Sequence, residues 1–184
     1  MDTMTCIKSR RSVRKYKADP IPPEVLTEVL EAFRWSPSWA NVQAWELVLV
    51  TDPAIKAKLQ EAFAAGNPAR NAIVQAPMVI AACGRKGKSG FYKNVVTTVL
   101  GDWFMFDLGI ATENLCLAAC AHGLGTVHAG LLDQKKANEV LGIPEDVTVV
   151  ELIPLGYPDH EPKAPPRRAL SEFVHQDRFG NQWK

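Results

Sequence analysis

Cysteine is scarce in this chain, and so is histidine. The four cysteines, Cys6, Cys83, Cys116 and Cys120, match no zinc or disulfide framework, and reduced thiols of a cytosolic protein are the simplest assignment. Cys116 and Cys120 lie four apart on one helical face and are expected as two buried thiols. His122 and His128 have no partner at ligand spacing, so no metal site is expected. An excess of one charge is also missing. Lys+Arg is 21 against 20 Asp+Glu, for a net charge of +1, which argues against a nucleic-acid partner. The chain lacks an unbroken apolar run of about 18 residues, so no membrane span is expected. Its start has no basic segment followed by an apolar one, so it does not read as a secretory signal, and the expected location is the cytoplasm. No Gly-x-Gly-x-x-Gly follows a strand, which removes a Rossmann site for a nicotinamide cofactor. No Ser-His-Asp or Cys-His arrangement is legible, so no acid–base or nucleophilic residue is assigned.

What is present is a compact basic motif, Arg10-Arg11-Ser12-Val13-Arg14. Arginine offers planar, permanently charged donors that match phosphate oxygens two at a time, and serine adds a small donor. The cluster suits one small phosphate and is too short to coat a polymer. Its bland alternative is a solvated basic patch at a helix end. The 184 residues, 47% of them apolar, suit one domain with a full core.

The pattern predicts a short helix over Met4–Arg10 and a second over Pro23–Arg34, with Pro22 and Pro23 at its first turn and Val25, Leu26, Val29, Leu30 and Phe33 on one face. Strands are expected at Trp45–Thr51, Met78–Cys83, Thr126–Ala129 and Val147–Leu155. Asp52-Pro53 opens a helix that buries Ile55, Leu59 and Phe63, and Asp133 caps another that stops at Gly142. Gly84–Lys93 is expected as a basic, Gly-rich loop. Thr97–His122 reads as the longest helix, apolar all round and ended by Gly123-Leu124-Gly125, which favours burial against a symmetry mate. Pro158–Arg168 is Pro-rich and extended, suited to lying across another surface.

In order and spacing these pieces resemble the FMN-dependent nitroreductase family over nearly the whole chain. The similarity rests on Arg10–Arg14, on Ser36–Trp45, on Asp107-Leu108-Gly109-Ile110-Ala111, on Gly123-Leu124-Gly125-Thr126, on Leu155-Gly156-Tyr157-Pro158 and on Arg167-Arg168. The resemblance implies an α+β fold, a mixed sheet flanked by helices, in an intertwined homodimer. It implies a single domain over 1–184, with 157–184 a C-terminal extension packing on the partner subunit. FMN would lie at the dimer interface. Arg10, Ser12 and Arg14, with Arg11 nearby, would hold its phosphate and ribityl chain. Pro37, Ser38, Trp39 and Asn41 would meet it from the other subunit, Ala129 and Gly130 would pass close to the ring, and Arg167 or Arg168 would add a phosphate contact.

Two departures from the family pattern stand out. Ala44 replaces a common proline, and Trp39 stands where smaller residues are usual, either as packing or as a bulky wall of the pocket. The segment Gly84–Asn94 is short, which implies a reduced lid. Asp102, among aromatic residues, either pairs with an arginine or lines the pocket, and Arg70 and Asn71 are outlying candidates for the flavin ring. The activity implied is reduction of electron-poor small molecules such as nitroaromatics, quinones or enones by NADH or NADPH, in a ping-pong sequence, with no nucleic-acid or membrane partner. The alternative is a flavin-binding carrier or sensor without steady turnover.

Overall fold

A computed structural model describes residues 1–183. Helices α1 (Thr3–Ser9) and α2 (Pro23–Arg34) lead into strand β1 (Trp45–Val50), followed by α3 (Pro53–Gln60), α4 (Ala72–Gln75) and β2 (Met78–Arg85). A small hairpin, β3 (Phe91–Tyr92) and β4 (Val95–Val96), precedes the long helix α5 (Phe104–Ala121). The chain then forms β5 (Gly125–Thr126), α6 (Gln134–Leu141) and β6 (Val147–Gly156). The four-stranded sheet runs β1-β2-β6-β5 with every neighbouring pair antiparallel. Among the described residues, its parallel component is the single bridge between Ser12 and Thr126.

β2 is almost wholly apolar because both of its faces are covered, and its side chains alternate between two cores. Val79, Ala81 and Cys83 join Leu59, Phe63, Ile73 and Ala137 beneath α3, α4 and α6. Met78, Ile80 and Ala82 join Val29, Phe33, Leu108 and Leu115 beneath α2 and α5. In β6 the parity switches: Val147, Val149 and Leu152 share the first core, while Ile153 and Leu155 face the second. The register explains the switch. Ala82 pairs with Glu151 and Cys83 with Val149, so Val150 bulges and the strand beyond it turns over.

Several helix ends follow the sequence. Asp52 accepts from the Ala54 and Ile55 amides, Asp133 accepts from Lys136, and α6 stops at Gly142 with φ +65°. Three expectations need correction. The long helix begins at Phe104, not Thr97: Gly101 adopts φ +77°, Trp103 is the N-cap, and Asp102 just before it accepts from the Phe104 amide at 3.2 Å. The expected loop over Gly84–Lys93 is partly strand: Gly84 and Arg85 complete β2, and Lys93 and Asn94, with φ +49° and +63°, form the two-residue turn of the β3–β4 hairpin. The strand expected at Thr126–Ala129 shortens to β5, after which Ala129 alone pairs with Leu152.

By length and composition α5 is apolar enough to cross a membrane. Here it is a core helix, with Leu108, Ala111, Thr112, Leu115, Cys116 and Ala119 buried against the sheet and α2. Its opposite side leaves Met105 and Phe106 each 59% exposed.

Candidate functional site

The basic motif is extended chain laid along the sheet. α1 ends when the Arg10 amide donates to the Cys6 carbonyl. The Val13 amide then donates to the Thr126 carbonyl at 2.9 Å, which fixes residues 12–14 beside β5. In extended backbone alternate side chains face opposite ways, so buried Val13 turns Ser12 and Arg14 outward. The contact needs Gly125: a Cβ there would sit 2.7–2.9 Å from three carbons of Val13. Because Val13 Cβ is itself one of them, rotation about χ1 gives no relief. Gly125→Ala is therefore expected to part this seam and to lower stability by roughly 1–3 kcal/mol, read from a urea unfolding curve.

The C-terminal segment reaches the same place. The Lys17 amide donates to the Tyr157 carbonyl and the Asp159 amide to the Lys15 carbonyl, so the chain leaving β6 is zipped to the chain leaving the motif. Buried Tyr16 secures the junction, donating to the Val13 carbonyl at 2.7 Å, and burial raises its phenol pKa. The result is a cavity of 290 Å³ lined by Arg10, Arg11, Ser12, Arg14, Pro162, Lys163, Pro165 and Arg167. Its ionisable lining residues are all cationic. A larger cavity of 790 Å³, floored by Gly125 and Thr126, shares Arg10 and Arg11 as a wall.

Within this cleft Arg11 is tied to the Lys8 and Arg10 carbonyls, at 2.6 and 2.8 Å. Arg14 Nη1 donates to the Ser12 carbonyl at 3.2 Å, and Arg10 Nε meets Glu113 Oε1 at 3.1 Å. Yet, among the described residues, Arg10 Nη1 and Arg14 Nε are buried without a hydrogen-bond partner. A buried donor left unmatched is costly, and these two belong to arginines that both line the cavity. Of the two tail arginines, Arg167 lines the cavity. Arg168 turns away to the Glu172 carbonyl at 2.7 Å and to the Phe173 ring.

Pro37, Ser38, Trp39 and Asn41 form a second, separate group. A single chain does not bring them to the arginine cleft; Asn41 instead borders a 260 Å³ hollow with Arg34, Trp35, Ser36 and Gln43. Their loop is strained. Ala40, Asn41 and Gln43 adopt φ of +44°, +56° and +48°, and such conformations persist only when their surroundings impose them. Asp107 supplies that constraint. It is 1% exposed, and its Oδ1 accepts from the Trp39 amide at 3.0 Å while its Oδ2 accepts from the buried Ser89 hydroxyl at 2.6 Å. The Trp39 ring packs on Trp103 at 5.2 Å. Among the described residues Asp102 neither pairs with an arginine nor lines a described cavity; it accepts from the Gly87 amide at 2.7 Å and from the Phe104 amide at 3.2 Å. Arg70 Nε, just before α4, is a third guanidinium nitrogen buried without a partner among the described residues.

Ala129 exchanges both backbone hydrogen bonds with Leu152, and exposed Gly130 and Leu131 follow. Just before them, His128 gains partners that its sequence neighbours do not offer. Its Nδ1 lies 2.9 Å from Glu151 Oε2, and its Nε2 lies 3.2 Å from Glu113 Oε2 and 3.5 Å from Cys116 Sγ. The Cys116 contact and the two glutamates hold the imidazole protonated, pushed up to about 12. Burial pushes the Glu113 carboxyl up, but His128 and Arg10 outweigh it and leave the group below its ordinary value. Two signals were in the sequence: Glu113 and Cys116 stand three apart on one helix, and Glu151 is the one charge in the run Val147–Leu155. Only the fold joins them to His128.

A sequence model described as the Nitroreductase family matches residues 7–157. A Thermus thermophilus protein named NADH dehydrogenase is 30% identical, the match covering 95% of each chain. The Vibrio harveyi NADPH-flavin oxidoreductase is also 30% identical, over 97% of this chain and 75% of its own length. Among solved structures, an FMN-dependent nitroreductase from Clostridium difficile superposes with a TM-score of 0.80 at 26% identity, covering 96% of this chain and all of that one.

Proposed function

Since this chain belongs to the nitroreductase family, we propose that its arginine cleft holds the phosphate of FMN and that a second copy of the chain completes the flavin site. The protein is an NAD(P)H-dependent flavin oxidoreductase. The residues present fit the cofactor: Arg10 Nη1 and Arg14 Nε are buried donors awaiting an anion, in a cavity with five cationic side chains. That pair of unpartnered donors is the observation that carries the proposal. Arg11, Ser12 and Arg167 complete the phosphate contacts, and of the two tail arginines it is Arg167, not Arg168, that lines the cavity.

Bound there, FMN supplies the redox centre that takes a hydride from NADH or NADPH and passes electrons to an electron-poor acceptor. The chain holds and orients it. Ala129, its backbone held by Leu152, and exposed Gly130, which has no side chain, leave room where the ring must approach closely. Pro37, Ser38, Trp39 and Asn41 reach the flavin from the second copy, which accounts for a strained loop held by Asp107 but distant from its own chain's cleft. The exposed apolar residues Met4, Ile7, Met105 and Phe106, with Leu170 and Phe173 in the tail, supply surface for that homodimer. Of the extension over 157–184, residues 157–159 pair with their own chain and the part beyond them packs on the partner; Lys184 lies outside the described residues. Four free cysteines suit a reducing cytoplasm.

Nicotinamide and acceptor use one face in turn. Steady-state oxidation of NADH or NADPH with a nitroaromatic or a quinone is expected to give parallel double-reciprocal lines. Intersecting lines would contradict the alternating use of one site. Flavin that stays oxidised under excess NADPH and NADH would favour a carrier instead.

A further inference from the structure

We propose that Glu113, Cys116 and His128 form a binding site for a thiophilic divalent cation, Zn²⁺ by preference, with Glu151 as the supporting carboxylate. Glu113 and Cys116 project from the same face of α5 one turn apart, and His128 closes on them from the chain after β5. The three ligand atoms lie within 4.8 Å of one another. A tetrahedral zinc ion with ordinary bond lengths sets its nitrogen and sulfur ligands about 3.6 Å apart and its nitrogen and oxygen ligands about 3.4 Å apart. The corresponding separations here are 3.5 Å from His128 Nε2 to Cys116 Sγ and 3.2 Å to Glu113 Oε2.

The surroundings complete the arrangement. A zinc-bound histidine normally donates its other ring N–H to a carboxylate, which fixes tautomer and orientation. Glu151 stands there, 2.9 Å from Nδ1. Glu113 gives one oxygen to Arg10 and keeps the other for the site. Cys116 is fully buried, while the His128 and Glu113 side chains are 33% and 42% exposed, so solvent reaches the fourth coordination position from their side. Charge balances as well. Two glutamates and a thiolate carry three negative charges, against three positive from the ion and Arg10. Binding replaces the hydrogens on Cys116 Sγ and His128 Nε2 with bonds to the metal and releases them as two protons. A thiolate and an imidazole select zinc over magnesium or calcium. The site shares Arg10 with the phosphate cleft but does not depend on flavin being bound.

Cobalt(II) titration of the full-length, chelator-treated protein tests the site. One ion per chain is expected, with a thiolate-to-cobalt charge-transfer band and tetrahedral ligand-field bands to the red of flavin absorption, all abolished by Zn²⁺. Cys116→Ser is expected to lose the charge-transfer band. His128→Gln should weaken affinity at least about 100-fold and Glu151→Gln about 10- to 100-fold at unchanged stoichiometry. His128→Gln leaves the helical core untouched and carries the test if Cys116→Ser does not fold. The proposal is overturned if wild-type protein takes up no stoichiometric cobalt at micromolar concentration, or if His128→Gln binds as wild type does.

Discussion

Replacing Arg10 and Arg14 together with alanine is expected to weaken FMN binding by roughly a thousandfold while the chain still folds. Each guanidinium holds a buried donor without a protein partner, so neither NH group is needed by the fold itself. A hydrogen bond to a charged group contributes about 1.5–3 kcal/mol, or roughly 10- to 150-fold in affinity for each arginine. The two share one phosphate, so their effects are not strictly additive. Arg14→Lys keeps the charge but loses the planar fork and should fall between wild type and Arg14→Ala. Arg10→Ala has a second consequence, since it also removes the ion pair with Glu113. Flavin fluorescence quenched on titration with apoprotein measures the affinities, and a circular-dichroism melt confirms folding. Affinity within threefold of wild type in the double variant would contradict the assignment.

The second large effect is expected at Asp107. It is wholly enclosed and joins two segments that are otherwise remote, the Trp39 amide and the Ser89 hydroxyl. Asp107→Ala leaves both donors unmatched, at a cost of about 2–4 kcal/mol by urea unfolding. It also releases Ala40, Asn41 and Gln43 from their left-handed conformations, so the loop relaxes. If that loop covers the flavin of the partner subunit, the variant should lose turnover with the acceptor by more than its remaining folded fraction explains. Asp107→Asn can keep an oxygen for the Trp39 amide and turn its NH₂ group to the Ser89 oxygen, which accepts, so only the hydroxyl proton loses its partner and less than half the stability loss should remain.

How much of this was legible in the chain depended on whether the signal was local. α2 emerges as read because two prolines open it and its apolar residues recur at helical spacing. β2 and β6 follow from apolar runs, and the caps at Asp52, Asp133 and Gly142 follow from residue type. The start of α5 was misplaced because Thr97–Trp103 continues its apolar composition, while one glycine and one aspartate redirect the backbone. The parity switch in β6 was invisible because a bulge at Val150 belongs to a pairing register, not to one strand's sequence.

The site divides in the same way. The arginines announce themselves by composition, but their convergence with Arg167 needs the backbone pairing of residues 15–17 with 157–159. Asp107 and Trp39 stand 68 residues apart, and Glu151 and His128 stand 23 apart. No spacing rule joins such pairs, because the loop before β1 meets α5, and the chain after β5 meets β6, only after the sheet has assembled.

The measurement that bears most directly on the cleft compares FMN with riboflavin, which share a ring and differ by the phosphate. Titrated against the same apoprotein, FMN should bind at least about 100-fold more tightly, the equivalent of one or two charged hydrogen bonds, and the gap should shrink toward unity in the Arg10/Arg14 double variant. Equal affinity of the wild-type chain for the two flavins would mean that these arginines serve something other than the phosphate.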